Sequence, residues 1–467
     1  MRPLLCLFAL VPCTLHAAGF RIATFEVDVT VPLGHSCMGG GIAPARKIVE
    51  PLQAKGFALF GGEKPFVVLA FDWCEIRGSA YDDWREALAE TAGTVPERVM
   101  LTSTHVHDAP VMDPEAEFLL HDAEKSGAWK SLPAPEPKDA IQLASVCWPD
   151  FNRLCIKRAC QALGEAMRHQ QTVTHFGMGK AKVKDVASNR RYVSPDGQTH
   201  YNRMSRTTDP VIQAADEGLI DPWLRTLSFW DGDNPVCAMH SYAVHPMSYY
   251  GSGDVSIDFV GLARELLQKE MPAVFQIYAS GCSGNVTAGK FNRGDPASRV
   301  ALTEKIHAAM VESLRTTQRQ PLTNLGFHLA RIALGARNTV GFTEEALRYR
   351  LNHEARPFGR AEAAMGLAWY ARVKSGHQIE LPVIDFGPAQ LLLLPAESYV
   401  EYQLYAEGLR PESFVMVMGY GECGPGYIPV ERAWQEHDTN LHDWTWVPPG
   451  SEEPMKTAIR EVMARPQ

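Results

Sequence analysis

Four times along this chain a strand-length apolar run ends in a side chain that can do chemistry. The runs are Phe66-Val-Val-Leu-Ala-Phe-Asp72, Val99-Met-Leu-Thr-Ser-Thr-His105, Met239-His-Ser-Tyr-Ala-Val-His245 and Leu391-Leu-Leu-Leu-Pro-Ala-Glu397. Near-continuous apolar strands need cover on both faces, so they belong to buried sheets. Between them lie stretches of helical periodicity, such as Leu154, Ala159, Leu163 and Met167 within 151–170. Further strands are expected at 224–230, 236–244, 273–280, 325–332, 379–386 and 390–394, and helices at 83–92, 257–270, 297–315 and 362–374. This alternation predicts an α/β class: a layered domain with a mostly buried, mixed β-sheet core flanked by helices, its site at the strand ends.

The stretch 111–149 breaks the rhythm with Leu132-Pro-Ala-Pro-Glu-Pro and follows directly on a pair of histidines, so it is expected as a rim or lid insertion. No clean boundary separates two cores, and residues 19–467 are expected to form one domain. Residues 1–18 read differently. Arg2, an apolar run from Leu4 to Val11 and Ala17-Ala18 match a secretory signal cleaved near residue 17 or 18. Export to a periplasm or beyond the cell is therefore expected, and the apolar run is too short to span a bilayer. Pro12 before Cys13 argues against a lipoprotein site.

Eight cysteines follow the signal, with no Cys-x-x-Cys pair, which excludes a zinc ribbon. Export leaves room for one or two disulfides, but spacing does not pair them. A net charge of -9 and the lack of a basic stripe exclude a nucleic-acid partner.

His105 and His107 are two residues apart, so on a strand they point to one side. Imidazole is a common zinc ligand, and strand ends beside turns commonly hold sites. His245 is followed by Pro246; Ala279-Ser-Gly-Cys-Ser-Gly-Asn-Val-Thr-Ala-Gly289 is a turn-rich stretch after a strand; Gly424-Pro-Gly-Tyr427 presents a phenol on a tight turn. Singly, each has an ordinary structural reading. Glu397 could satisfy a helix N-terminus, and Tyr427 could be a core ring.

Together and in this order, the motifs resemble the neutral/alkaline non-lysosomal ceramidase family. The resemblance runs through Val29-Thr-Val-Pro-Leu-Gly, Glu50-Pro-Leu-Gln-Ala-Lys-Gly-Phe-Ala-Leu, Trp84-Arg-Glu-Ala-Leu and Val95-Pro-Glu-Arg-Val. It continues with Ser103-Thr-His-Val-His, Asn189-Arg-Arg, Ala243-Val-His-Pro, Gly284-Asn-Val-Thr, Leu394-Pro-Ala-Glu and Gly426-Tyr-Ile-Pro. It implies a Zn2+ held by His105, His245, Glu397 and Tyr427, with His107 beside the metal and Arg190 at the substrate. It implies hydrolysis of an N-acyl, sphingolipid-like amide by zinc-activated water, and at most transient contact with a membrane surface.

Departures from the family pattern put ceramide itself in question. Asp108 stands where the family has Ser, and Asn285 and Thr287 stand where it has Asp and Ser; these three are weaker candidates for substrate contact. A second tyrosine expected after Tyr427 has no counterpart, and Trp434 and His437 occupy its region. About forty residues follow Tyr427 (467 − 427), fewer than the family's C-terminal β-sandwich. Alternatives are a zinc hydrolase of another amide or ester, a non-catalytic binding protein, and a serine hydrolase using Ser283. The last lacks a Gly-x-Ser-x-Gly elbow.

Overall fold

The computed structural model describes residues 19–464 except 135, 137, 138 and 140. The signal-peptide reading falls on residues outside this range. Instead of one sheet, the core contains three. The first orders its strands Val99–Ser103, Phe66–Phe71, Gln53–Phe60, Arg21–Asp28 and Gln171–Thr172. The second runs Phe275–Ser280, Asn234–Tyr242, Trp223–Asp231, His175–Lys182 and Gln318–Pro321; the third runs Gly326–Ile332, Ile379–Asp385, Ala389–Leu393 and Phe414–Met418. Each of these sheets is antiparallel except for one parallel pair at its edge: Phe66–Phe71 with Val99–Ser103, Asn234–Tyr242 with Phe275–Ser280, and Ala389–Leu393 with Phe414–Met418.

Strand alternation explains how these sheets share an interior. Phe57, Phe66, Val68 and Met100 from the first sheet meet Phe229, Met239 and Ile277 from the second and Leu391, Leu393 and Met416 from the third in one buried cluster. The intervening residues face helices. Val67, Leu69 and Phe71 look toward the helix Gly78–Ala92, where Phe71 meets Trp84 edge-on at 4.7 Å. That helix buries Tyr81, Trp84, Leu88 and Ala92 at three- and four-residue spacing and stops at left-handed Gly93. Asp258–Glu270 and Pro296–Arg315 cover the second sheet, and Glu452–Met463 packs on the third.

Most expected elements form within a few residues of their expected bounds. The helix expected from 362 starts earlier, at Pro357, because proline's fixed φ suits a first helical position. The segment 111–149, expected as a rim or lid, carries a helix of its own. Its helix Pro114–Lys125 packs against the helix Pro357–Lys374, and Glu117 accepts hydrogen bonds from Val146 N (2.6 Å) and Cys147 N (3.2 Å), pinning the return strand of chain. All eight described cysteines are free thiols. No helix among the described residues is long and apolar enough to cross a membrane.

Candidate active site

The three parallel pairs end at one corner, and hydrogen bonds join their ends. Ser103 N donates to Tyr420 O at 3.1 Å, Gly419 N to Ser280 O at 2.8 Å, and Ser280 Oγ to Thr104 O at 2.7 Å. Ligands in α/β sheets collect in crevices beyond the carboxyl ends of strands. Each sheet sends one side chain there: His105 follows Val99–Ser103, His245 follows Asn234–Tyr242, and Glu397 follows Ala389–Leu393.

Strand alternation does not bring His105 and His107 together, contrary to expectation. The strand stops at Ser103, and His105 takes a left-handed φ of 66°. The chain turns there, and the two rings approach edge to face with centroids 4.9 Å apart. A left-handed backbone at a histidine is held by its surroundings, here by His105 N donating to Trp73 O at 3.0 Å.

His105 Nε2 and His245 Nε2 lie 3.0 Å apart, and Glu397 Oε2 is 3.2 Å from the first and 3.1 Å from the second. All three side chains are buried. Each imidazole has a carbonyl at its other nitrogen: His105 Nδ1 contacts Cys74 O at 2.9 Å, and His245 Nδ1 contacts Ser283 O at 2.7 Å. A carbonyl only accepts, so the assigned tautomers carry hydrogen on Nδ1 and turn the Nε2 lone pairs inward. Glu397 Oε2 has no hydrogen-bond donor of its own. Three buried acceptors aimed at one point require a cation between them, either a proton or a metal ion.

The protonation pattern reflects this crowding. Burial opposes charge on Glu397, yet the two imidazoles hold its carboxyl well below the usual range. Burial lowers His105 as well, but Glu397 outweighs it and raises that pKa, whereas burial, with His105 and Arg190 nearby, lowers His245 to about 4. A proton on His105 can thus fill the gap. So can zinc, for which two imidazole nitrogens and a carboxylate are an ordinary catalytic donor set.

Glu397 and Tyr427 are partners in a short parallel bridge, so their side chains emerge at one level. Arg190 Nη1 donates to Tyr427 Oη at 2.9 Å and to Asn440 Oδ1 at 3.2 Å. Burial pushes the Tyr427 phenol well up, against the pull of Arg190. His107 Nδ1 is held by His105 O at 3.1 Å; burial and the two neighbouring imidazoles keep its pKa well below the usual value.

These residues line a cavity of about 170 Å³. His105, His107, Glu397, Tyr427 and Arg190 form its polar floor, Met38, Met204, Met247 and Phe358 an apolar wall, and Glu362 and Asp443 an acidic edge. Burial and the nearby Asp443 raise Glu362 to about 7. No described residue of 111–149 lines it.

Three weaker candidates do not line the cavity. Asp108 accepts from Gly251 N at 3.0 Å; Asn285 Oδ1 accepts from Val400 N at 2.9 Å while its Nδ2 donates to Glu401; Thr287 Oγ1 donates to Met204 O at 2.8 Å. All three brace backbone or helix starts near the site. Ser283 is buried, its hydroxyl 2.7 Å from that of Tyr420, and lies outside the cavity lining. Sequence reasoning missed Tyr420, which stacks on His105 at 4.3 Å, and Glu362, Asn440 and Asp443. The apolar run Phe414–Met418 followed by Gly-Tyr-Gly carried the signal for Tyr420.

No family model matches the sequence, and no curated protein matches it. Solved structures share its fold, and two of them are ceramidases. One is a ceramidase complexed with C2, and the other is neutral ceramidase from Pseudomonas aeruginosa; both give a TM-score of 0.65 at 15% identity over 95% of this chain. The match spans 75% of the first chain and 74% of the second. The chain therefore has the fold of these ceramidase structures.

Proposed function

We propose that this protein is an exported, zinc-dependent hydrolase of linear N-acyl amides, lipid-like at the acyl end. The observation that carries this reading is the buried convergence of His105 Nε2, His245 Nε2 and Glu397 Oε2, of which His105 and Glu397 line a cavity. Likeness to the ceramidase structures supports an amide substrate. His105, His245 and Glu397 hold the metal, with Tyr427 as the fourth ligand. Zinc bound there supplies Lewis acidity, which acidifies water and polarises the amide carbonyl.

The chain's own residues do the rest. His107 takes a proton from the attacking water and returns it to the leaving nitrogen as the C–N bond breaks, releasing a carboxylate and an amine. Arg190 fixes the Tyr427 oxygen and, through the rest of its guanidinium, orients the polar head of the substrate. A cavity of about 170 Å³ encloses the amide and its nearest atoms, so a long acyl chain leaves past the methionines. Export rests on the signal-like residues 1–18, and N-terminal sequencing of exported protein should begin near Gly19.

The test pairs elemental analysis of purified protein with a screen of N-acyl amides. About one zinc per chain and hydrolysis abolished by chelator are expected. Zinc content near zero after growth with added zinc would favour a non-catalytic binding protein.

A further inference from the structure

One wall of the cavity is made by a loop that the proposed hydrolysis does not use. Tyr250 lies on the turn after His245-Pro246, half-buried, with its ring 4.8 Å from that of His107. Tyr250 and Ser205 both line the cavity. The ring is held by the residue next to His107. Asp108 Oδ1 accepts from Gly251 N at 3.0 Å, two residues before a second turn glycine, Gly253.

Both glycines are left-handed, at φ 104° and 82°, and a Cβ on Gly253 would lie 2.2 Å from Pro44 O. A turn this tight leaves backbone N–H groups that need a buried acceptor, and Asp108 is the acceptor for Gly251 N. One dipeptide, His107-Asp108, therefore sets both the imidazole that serves the leaving nitrogen and the phenol beside it.

We propose that Tyr250, together with Ser205, contacts a hydrogen-bonding substituent on the amine side of the substrate, and that Asp108 is the positioning residue for this contact. The orientation of the substrate rests on the amide-hydrolysis reading; the contact itself is a property of the cavity. A site built to hydrogen-bond a substrate hydroxyl discriminates against analogues lacking it, because its own polar groups are then left unpaired.

The test is calorimetric binding of N-hexanoylethanolamine and N-hexanoylpropylamine to chelator-treated protein, so that no turnover intervenes. Wild type should prefer the hydroxyl-bearing probe about tenfold, and Tyr250→Phe should bring the ratio near one. Asp108→Ala should do the same, Asp108→Asn should restore most of the preference, and the Tyr250→Phe/Asp108→Ala double variant should lose nothing more. A wild-type ratio near one, an unchanged ratio in Tyr250→Phe, or multiplying losses in the double variant would overturn the assignment. Turnover of the same probes by zinc-loaded protein separates the two claims. If the ratio behaves as expected and neither probe is cleaved, the hydrolase reading fails and the contact stands. If both are cleaved and Tyr250→Phe changes no ratio, the contact fails and the hydrolase reading stands.

Discussion

His105 and His107 are two residues apart and should fail differently when removed. His105 Nε2 faces His245 and Glu397 within 3.2 Å, whereas His107 has its Nδ1 tied to a carbonyl and its ring at the cavity. His105→Ala should therefore lose zinc and activity together. His107→Ala should keep about one zinc per chain while kcat drops about 10²–10⁴-fold, the range for losing a positioned acid–base group. Elemental analysis beside steady-state kinetics reads both, and the reverse pattern would exchange the roles. The placement of His105 and His245 was legible in the sequence because each closes an apolar run. The sequence alone does not show that Asp108, Asn285 and Thr287 tie backbone, because short polar side chains beside a site are as useful for that as for touching substrate. Asn440, Asp443 and Glu362 were illegible because they reach the cavity from a 3-10 turn, a loop and a long helix, with no run of apolar residues pointing to them. Asn285 offers a second test at this scale. Replacing it with Ala removes the acceptor for Val400 N at the start of the helix Val400–Gly408, which should cost about 1–2 kcal/mol in stability and leave zinc content unchanged. Thermal melts of the zinc-loaded variant check this.

Elements were legible where both faces of a strand are apolar, as in Phe66–Phe71 and Ala389–Leu393, or where a helix keeps a strict apolar stripe, as in Pro149–Ala166. The strands Arg21–Asp28 and Gln53–Phe60 were not expected. Their charges look like surface until pairing sets Lys55 beside Glu26 at 2.8 Å, which buries an ammonium that sequence alone leaves in water. His35 shows the same kind of long-range dependence and makes stability sensitive to pH. Its Nδ1 donates to Ser36 O at 2.7 Å, and its Nε2 accepts from Trp148 N at 3.2 Å, so it must stay neutral; burial lowers its pKa from 6.5 to about 4. Above pH 6.5 the folded and unfolded chains both hold it unprotonated. Between 6.5 and about 4 only the unfolded chain takes up the proton, so stability falls as pH falls through that window, and this residue adds no further loss below it. The contribution is roughly 3 kcal/mol for a shift of this size. His35→Gln keeps a donor and an acceptor without titrating, so its melting temperature should fall less steeply from pH 6.5 to 4 than that of wild type. Parallel slopes would remove His35 from the account.

At the scale of the whole molecule, three sheets each end a parallel strand pair at the same corner, and each supplies one of the three converging donors. The sequence showed the four apolar runs but not that they belong to three sheets, because runs alike in composition carry no record of which neighbours they pair with. The consequence is mechanical. A metal ion held by His105, His245 and Glu397 would cross-link elements that otherwise meet only through strand-end hydrogen bonds and side-chain packing. Unfolding separates the three donors, so zinc held there would bind the folded chain far better than the unfolded one. Free zinc at about a thousand times its dissociation constant should then add about 4 kcal/mol to stability. In a chain of this length that should appear as a rise of a few degrees in melting temperature, dependent on zinc concentration and reversed by chelator. Glu397→Ala removes the donor from the third sheet and should abolish the zinc-dependent rise. Asn285→Ala, which lowers the baseline without touching a donor, should keep the full rise. A melting temperature of wild type that does not respond to zinc would show that the three strand ends hold together without a metal and that the buried cation is the proton on His105.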